Sequence, residues 1–342
     1  MLCLISPNSI LNGVLVKKKN KILRIKMTFL EIAKKVLEDK EIKIPLTPKE
    51  IWQHAVENGY AKDTTGKTPE QSICAQLYVN MRDKKDSKFI KAGSRPAKFW
   101  LKARENEILG KENEIEAKTQ ELQKQEIKSK ERAFFESDLH PLLVKFLNDN
   151  FNLYCKTINA NTSTNKTKGL NEWIHPDIVG IHFPFDDFDK NTLDLLQNLS
   201  KPSYKIYSFE LKKFINNANL KECYFQAVSN SSWANEGYLV AYEIKDDCEV
   251  QNELARLNAS FGVGVIELKT LKVKFEAKNK ELDIDTLDML VQKNKDFKEF
   301  IENINKDMQI NDADRIAKHK YDKILDDDLE EYLTKIENKS NS

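Results

Sequence analysis

Two short stretches contain the residues whose types and spacing could do chemistry. Asp177 follows a proline where a turn meets an apolar run, and Glu210 and Lys212 stand two residues apart in an apolar, strand-like segment. Because side chains alternate between the two faces of a strand, we expect Glu210 and Lys212 on one face and Leu211 on the other. Two acids that can bind Mg²⁺ beside a lysine are typical equipment of metal-dependent phosphodiesterases.

The Glu-x-Lys spacing alone is a weak signal, because the chain repeats it at Glu126, Glu243, Glu267 and Glu276. Taken by itself, the pattern indicates ordinary strand decoration. Two features strengthen Glu210: its segment is otherwise apolar, where an unpaired charge costs free energy, and Asp177 precedes it by about one structural element.

The elements around these residues follow a pattern of strands and helices. Strand–helix–strand–helix–strand order implies right-handed crossovers and a mixed α/β sheet. The predicted order is a buried helix (134–147), strands (151–157, 173–183), a polar insertion up to Pro202, then strand (204–211), helix (220–229), strand (237–242), helix (252–260), strand (262–268) and a helical, acidic tail (281–342).

The front of the chain predicts a different, smaller unit. Helical patterns begin at Thr28, Pro48 and Thr68, and two short strands about a glycine-containing loop follow within 89–101. Three helices and a hairpin in about 75 residues describe a winged helix over 27–102. Residues 103–132 are dense in Lys, Glu and Gln, which predicts a solvated helical linker before a sheet domain over 133–280; a dimerising coiled coil is the less favoured alternative.

Charge is distributed unevenly, although the whole chain carries only +1. Residues 1–26 carry +6, residues 27–101 carry +4 and the remainder carries −9. A basic front suggests contact with a polyanion, and a basic wing would contact phosphates. A winged helix that binds protein is the alternative. The predicted DNA-binding residues are Ser72, Gln76, Asn80, Arg82, Lys84, Lys85, Lys91, Arg95 and Lys98.

Composition excludes several classes of protein. No apolar run approaches the roughly 20 residues that span a bilayer, so no membrane association is expected. The five cysteines are scattered and never form a CxxC pair, which suggests neither a disulfide framework nor a zinc site and favours the cytoplasm. Residues 1–26 are interpreted as a basic extension with a misassigned start, because Met27 opens the first clean helical pattern.

The motifs together resemble known families. The pair Pro176-Asp177, followed on the next strand by Glu210-x-Lys212, resembles the PD-(D/E)xK restriction-endonuclease-like superfamily. Residues 27–102 resemble the HARE-HTH winged helix, and the pairing of both modules resembles HrgA-type restriction proteins. The resemblance implies an α+β or α/β chain: an N-terminal winged helix-turn-helix, a charged helical linker and a mixed β-sheet flanked by helices. The long Pro184–Pro202 insertion departs from the family pattern.

The resemblance also implies roles for individual residues. Asp177 and Glu210 would bind Mg²⁺, with the carbonyl of Leu211 as a third ligand, and Lys212 would orient the attacking water or stabilise the transition state. Further site candidates are Glu136, for which Glu131 is the rival, and Gln226 from the following helix.

The implied function is a cytoplasmic, Mg²⁺-dependent endodeoxyribonuclease of a restriction or defence type acting on double-stranded DNA. The expected partners beyond DNA are a cognate methyltransferase, RNA polymerase or a second copy of the chain. The alternative is a transcription-associated protein that binds DNA or RNA polymerase and has a catalytically inactive nuclease fold. A partner-binding subunit is the third option.

Overall fold

The structure is a computed structural model that describes most of the chain. The predicted basic extension of residues 1–26 and the DNA-binding candidate Arg95 lie outside the described residues, as does the side chain of Glu131. The described residues are 27–61, 68–94, 96–110, 112–159, 175–184, 187–199, 204–309, 318–326 and 328–340.

The first described unit is the predicted winged helix. Thr28 and Thr47 each begin a helix through a reciprocal capping box with the glutamate three residues later, which satisfies backbone N–H groups at the helix start. The three helices and an antiparallel hairpin enclose a core around the fully buried Trp100. Its elements are α1 (Phe29–Leu37), α2 (Pro48–Glu57), α3 (Pro69–Asp83), β1 (Phe89–Ser94) and β2 (Ala97–Leu101).

The charged linker forms the helix α4 (Glu112–Ala133). It is more than a solvated connector, because it docks on the sheet domain. The carbonyl of Gln123, a residue only 3% exposed, accepts a hydrogen bond of 3.2 Å from Asn216 Nδ2. Lys130 also forms an ion pair of 2.8 Å with Glu243.

Among the described residues, six strands form one mixed sheet in the order β3-β4-β5-β6-β7-β8. The first three strands pair antiparallel, β5 to β7 pair parallel, and β8 closes the sheet antiparallel. The mixed sheet was predicted; β8 was not. The strands are β3 (Leu153–Thr157), β4 (Ile178–His182), β5 (Lys205–Ile215), β6 (Glu236–Ile244), β7 (Gly264–Glu267) and β8 (Lys272–Phe275).

Helices cover both faces of this sheet. Phe209 and Leu211 of β5 face one apolar cluster, which includes α5 and Ile336 of α11; Leu239 and Ala241 of β6 face another, built with α7 and α8. The remaining helices are α5 (His140–Phe151), α6 (Lys190–Asn198), α7 (Leu220–Asn230), α8 (Cys248–Phe261), α9 (Ile284–Lys293), α10 (Lys295–Met308) and α11 (Leu329–Ser340).

The acidic tail packs on the sheet domain. Leu290 of α9 and Phe297 and Phe300 of α10 are fully buried, and they pack with Val179 and Ile181 of β4. The predicted boundary at residue 280 therefore does not separate the tail from the core.

The helix predicted over 134–147 begins later. Residues 136–139 form a 3-10 turn, α5 starts at His140, and Phe135 is 78% exposed. Pro141 in the first turn of α5 explains the start, because proline fits where no N–H donor is needed.

The expectation of no disulfide was wrong. Cys74 of α3 and Cys248 of α8 form a disulfide across a sequence separation of 174 residues. Cys155 and Cys223 are free and buried. Such a pairing has no local sequence signature, because the fold alone brings the two helices together.

Candidate functional site

The site forms where β5 continues beyond the end of β4. The last pair of the β4–β5 ladder joins Ile178 to Phe209, whereas β5 runs on to Ile215 beside β6. Asp177, immediately before β4, donates its backbone N–H to the Phe209 carbonyl at 3.2 Å. Its carboxylate Oδ2 then accepts the N–H of Leu211 at 2.7 Å. The side chain of Asp177 thus takes the place of the missing strand partner.

Glu210 and Lys212 lie on the same face of β5, as strand alternation predicts. The Nζ of Lys212 lies 2.6 Å from Oε1 of Glu210. The second oxygen, Oε2, accepts a hydrogen bond of 2.7 Å from Nδ2 of Asn230 at the end of α7. The Glu210 side chain is 2% exposed and that of Lys212 is 21% exposed, so solvent screens this pair little.

The electrostatics of this cluster favour a cation. Burial raises the pKa of Glu210 to about 8, and the neighbouring Asp177 carboxylate adds to the rise, while Lys212 and Asn230 oppose it. Burial lowers the pKa of Lys212, but the carboxylates of Glu210, Asp177 and Glu136 outweigh burial, so the net pKa is raised. Lys212 is therefore an ammonium at neutral pH, surrounded by carboxylates.

The two supporting candidates lie near this cluster. Glu136 is half-buried in the 3-10 turn before α5, and its charge acts on Lys212. Gln226 is half-buried on α7, one turn before Asn230 and so on a similar face of the helix. Cys223 of that face also lies within electrostatic range of Lys212.

Sequence reasoning missed Asn230, which reaches Glu210 where Gln226 was proposed. It also missed a neighbouring cluster. Both the N–H and the hydroxyl of Thr157 donate to Oδ2 of Asp322, at 2.6 and 2.7 Å. His140 lies 3.4 Å from that hydroxyl; burial lowers its pKa, although Asp177 and Asp322 oppose this. No periodic signal links residue 322 to residue 157.

The donor set suits a hard divalent cation. Oδ1 of Asp177 accepts no hydrogen bond from the described residues, and two carboxylates with backbone carbonyls are ligands that Mg²⁺ prefers. No group of three or more His, Cys, Asp or Glu side chains in the described part of the chain is placed to hold a metal. Water and substrate phosphate would complete the shell, as is usual for Mg²⁺.

The predicted DNA-binding residues divide into several environments. Lys84 and Lys85 are exposed at the end of α3, and Arg82 is exposed but bonded to Asp83 at 2.7 Å. Asn80 accepts a hydrogen bond from Ser87 and so braces the start of the wing. Ser72, Gln76 and Lys98 are half-buried.

Lys91 lies at a contact between the two domains, here called the seam, formed by Cys74, Tyr78 and Lys91 with Cys248 and Glu249. Lys91 Nζ lies 2.6 Å from Glu249 Oε1, and the hydroxyl of Tyr78 donates to the same oxygen at 3.3 Å. The disulfide joins α3 to α8 at the same place. The seam attaches one side of α3 to the sheet domain.

A family model matches the first unit. It is the model of the HARE-HTH domain, described as an ASXL and restriction endonuclease HTH domain, and it matches residues 27–101. Residues 27–101 form a HARE-HTH domain. This domain is consistent with DNA binding. No curated protein and no solved structure matches the chain. Among the residues that the structure describes, no helix is long and apolar enough to cross a membrane.

Proposed function

We propose that this protein is a DNA-binding, Mg²⁺-dependent endodeoxyribonuclease of a restriction or defence type. The observation on which the proposal rests is the meeting of Asp177, Glu210 and Lys212 at the open edge of β5, with Leu211 N–H bonded to Asp177. The HARE-HTH domain supplies the DNA-binding module, and its family description includes restriction endonucleases. A PD-(D/E)xK type of sheet domain is part of the proposal.

In this proposal, Asp177 and Glu210 hold the metal, and Leu211 adds its carbonyl. Within a strand, the N–H and C=O of one residue point to the same side. Because the N–H of Leu211 points to Asp177, its carbonyl also lies on the side where β4 has ended. Bound Mg²⁺ would activate water and offset charge on the scissile phosphate.

Lys212 acts as a fixed positive charge in this mechanism. Since its pKa is raised, it is already protonated at neutral pH and cannot accept a proton as a general base. Its ammonium can instead donate hydrogen bonds to a phosphate oxygen or to the attacking water. A charge held in a poorly solvated site stabilises a developing negative charge more strongly than the same charge in water. Glu136 and Gln226 are proposed to assist at the edge of this site.

Plasmid cleavage tests the proposal. The wild-type protein should nick or cut supercoiled DNA with Mg²⁺ and stop in EDTA, and Asp177→Asn should abolish cutting. Asparagine keeps an oxygen that can accept the Leu211 N–H but removes the charge that a metal needs. Unmodified and methylated plasmids run side by side would show whether base modification guides the enzyme.

Glu249→Gln is the matched control, because Glu249 also pairs with a lysine at 2.6 Å but lies at the seam. It should cut like wild type. If Asp177→Asn cuts as fast as wild type, this site is not the nuclease centre. DNA that is bound but never cut, with any divalent cation, would instead favour a transcription-associated protein with an inactive fold.

DNA binding by the wing is tested separately. The double variant Lys84→Ala/Lys85→Ala should weaken binding to duplex DNA and reduce the slope of log affinity against log salt by roughly one for each lost phosphate contact. Lys295→Ala/Lys298→Ala, two exposed lysines on α10, is the control and should leave the slope unchanged. An unaltered slope in the wing variant would favour a winged helix that binds protein.

A further inference from the structure

Asn230 connects the two halves of the candidate site through a single amide group. Its Nδ2 donates to Glu210 Oε2 at 2.7 Å and to the backbone carbonyl of His175 at 3.0 Å. His175 belongs to the loop that delivers Asp177 to the end of β4. One planar NH₂ group therefore contacts both the strand that bears one acid and the loop that bears the other.

The Asn230 residue is itself held in place. Its backbone carbonyl accepts hydrogen bonds from Ser208 Oγ at 3.0 Å and from Trp233 Nε1 at 2.8 Å. It is fully buried, so water does not compete for these bonds. Gly237 of β6 allows the turn after α7 to lie this close, since a Cβ there would stand 2.2 Å from the Ser231 side chain.

These bonds leave Glu210 little freedom. Lys212 holds one carboxylate oxygen and Asn230 holds the other, so the plane of the carboxylate is fixed from two sides. A hydrophobic residue could fill the space of Asn230 but could not donate to either acceptor. Both acceptors would then be left unsatisfied in a buried region, which costs free energy and frees the carboxylate to rotate.

We propose that Asn230 is a positioning residue that fixes Glu210 and the His175–Asp177 loop in the geometry that binds the divalent cation. The inference rests on the proposed function, because it concerns the same metal site. Asn230 touches neither metal nor DNA in this account and acts through Glu210 and the loop. Ligand-orienting partners of this kind typically contribute 10–100-fold to metal affinity.

The test compares Asn230→Ala with Asn216→Ala. Asn216 is also fully buried, lies at the end of β5, and donates its Nδ2 to the Gln123 carbonyl, away from Glu210. We expect Mg²⁺ affinity, measured by isothermal titration calorimetry, to fall about 10–100-fold in Asn230→Ala. In Asn216→Ala it should stay within about twofold, although both variants lower the melting temperature in EDTA.

Cleavage gives a second readout that loss of stability alone would not produce. In Asn230→Ala the Mg²⁺ concentration for half-maximal cutting should rise by the same factor as the dissociation constant, while the rate at saturating Mg²⁺ changes little. Asn230→Ser keeps one small donor and should fall between wild type and alanine. It takes the place of Asn230→Ala if that variant does not fold.

The outcomes separate the two proposals. Unchanged Mg²⁺ affinity in the Asn230 variants, with a wild type that binds Mg²⁺ and cuts, overturns the role of Asn230 alone. Equal losses of affinity in the Asn216 and Asn230 variants also overturn it, because the effect would then be general loosening of the domain. A wild type that neither binds Mg²⁺ nor cuts overturns the proposed function and this inference with it.

Discussion

Two glutamate–lysine pairs in this protein look alike and differ in their surroundings. Glu210 meets Lys212 and Glu249 meets Lys91, each with an Nζ–Oε1 distance of 2.6 Å. Burial raises the pKa of both glutamates. One pair stands at the candidate site, and the other at the seam between the winged helix and the sheet domain.

The surroundings decide what each pair can do. Glu210 is 2% exposed and has Asp177 as a like-charged neighbour, which makes its ionised form costly without a further cation. Glu249 is 17% exposed, bonds Tyr78 and sits beside the disulfide. The first arrangement suits a metal site and the second suits attachment of two domains. An ion pair alone therefore indicates neither role.

Exchanging each glutamate for glutamine gives the largest expected contrast. Glu210→Gln should lower the cleavage rate roughly a thousandfold, at the upper end of what one preorganised electrostatic group contributes. Glu249→Gln should remain within about twofold of wild type in the same plasmid assay. Comparable losses in both variants would show that the seam, too, is needed for cutting.

Removing the disulfide tests the seam. Cys74→Ser/Cys248→Ser should lose about 2–4 kcal/mol of unfolding free energy, because the bond closes a long loop in the unfolded chain. Denaturant titration measures this loss, and reductant should bring wild type to the level of the variant. Cleavage by the folded variant should be retained. Stability that is insensitive to reductant would contradict the role of this bond.

Replacing each lysine by methionine sharpens the comparison. Lys212→Met should slow cutting about a hundredfold, since the charge that opposes the developing negative charge is lost while length is kept. Mg²⁺ affinity should not fall, because a positive neighbour of the metal is removed. Lys91→Met should cut at the wild-type rate. Normal cutting by Lys212→Met would limit Lys212 to a structural ion pair.

The smallest expected effect is a dependence of stability on pH. A carboxyl whose pKa is raised on folding stabilises the folded state below its unfolded pKa, and this contribution is lost as pH rises through the folded pKa. For Glu210 the window runs from about 4.5 to about 8. Without metal, the melting temperature of Glu210→Gln minus that of wild type should therefore grow by a few degrees between pH 5 and pH 8. A difference that does not change with pH would contradict a raised pKa.

Local patterns predicted much of the fold. The capping boxes at Thr28 and Thr47, the hairpin around 89–101 and the alternation along β5 depend on neighbours a few residues apart, and the structure contains all three. Where competing local signals existed, prediction failed. The apolar Phe134 and Phe135 suggested an early helix start, but Pro141 placed it at His140.

Contacts between distant residues could not be predicted. The Cys74–Cys248 bond, the Thr157–Asp322 hydrogen bonds and the reach of Asn230 to Glu210 join residues whose spacing has no period. Each depends on how helices and strands pack, and packing is set by many weak contacts summed over the domain.

The sequence by itself determined that Glu210 and Lys212 share a face, because side-chain alternation is a local property of any extended strand. The tertiary structure alone decided that β4 ends before Leu211, so that the Asp177 carboxylate takes the free N–H and joins the pair. That outcome depends on the relative lengths and register of two strands, which are fixed only when the whole sheet is assembled.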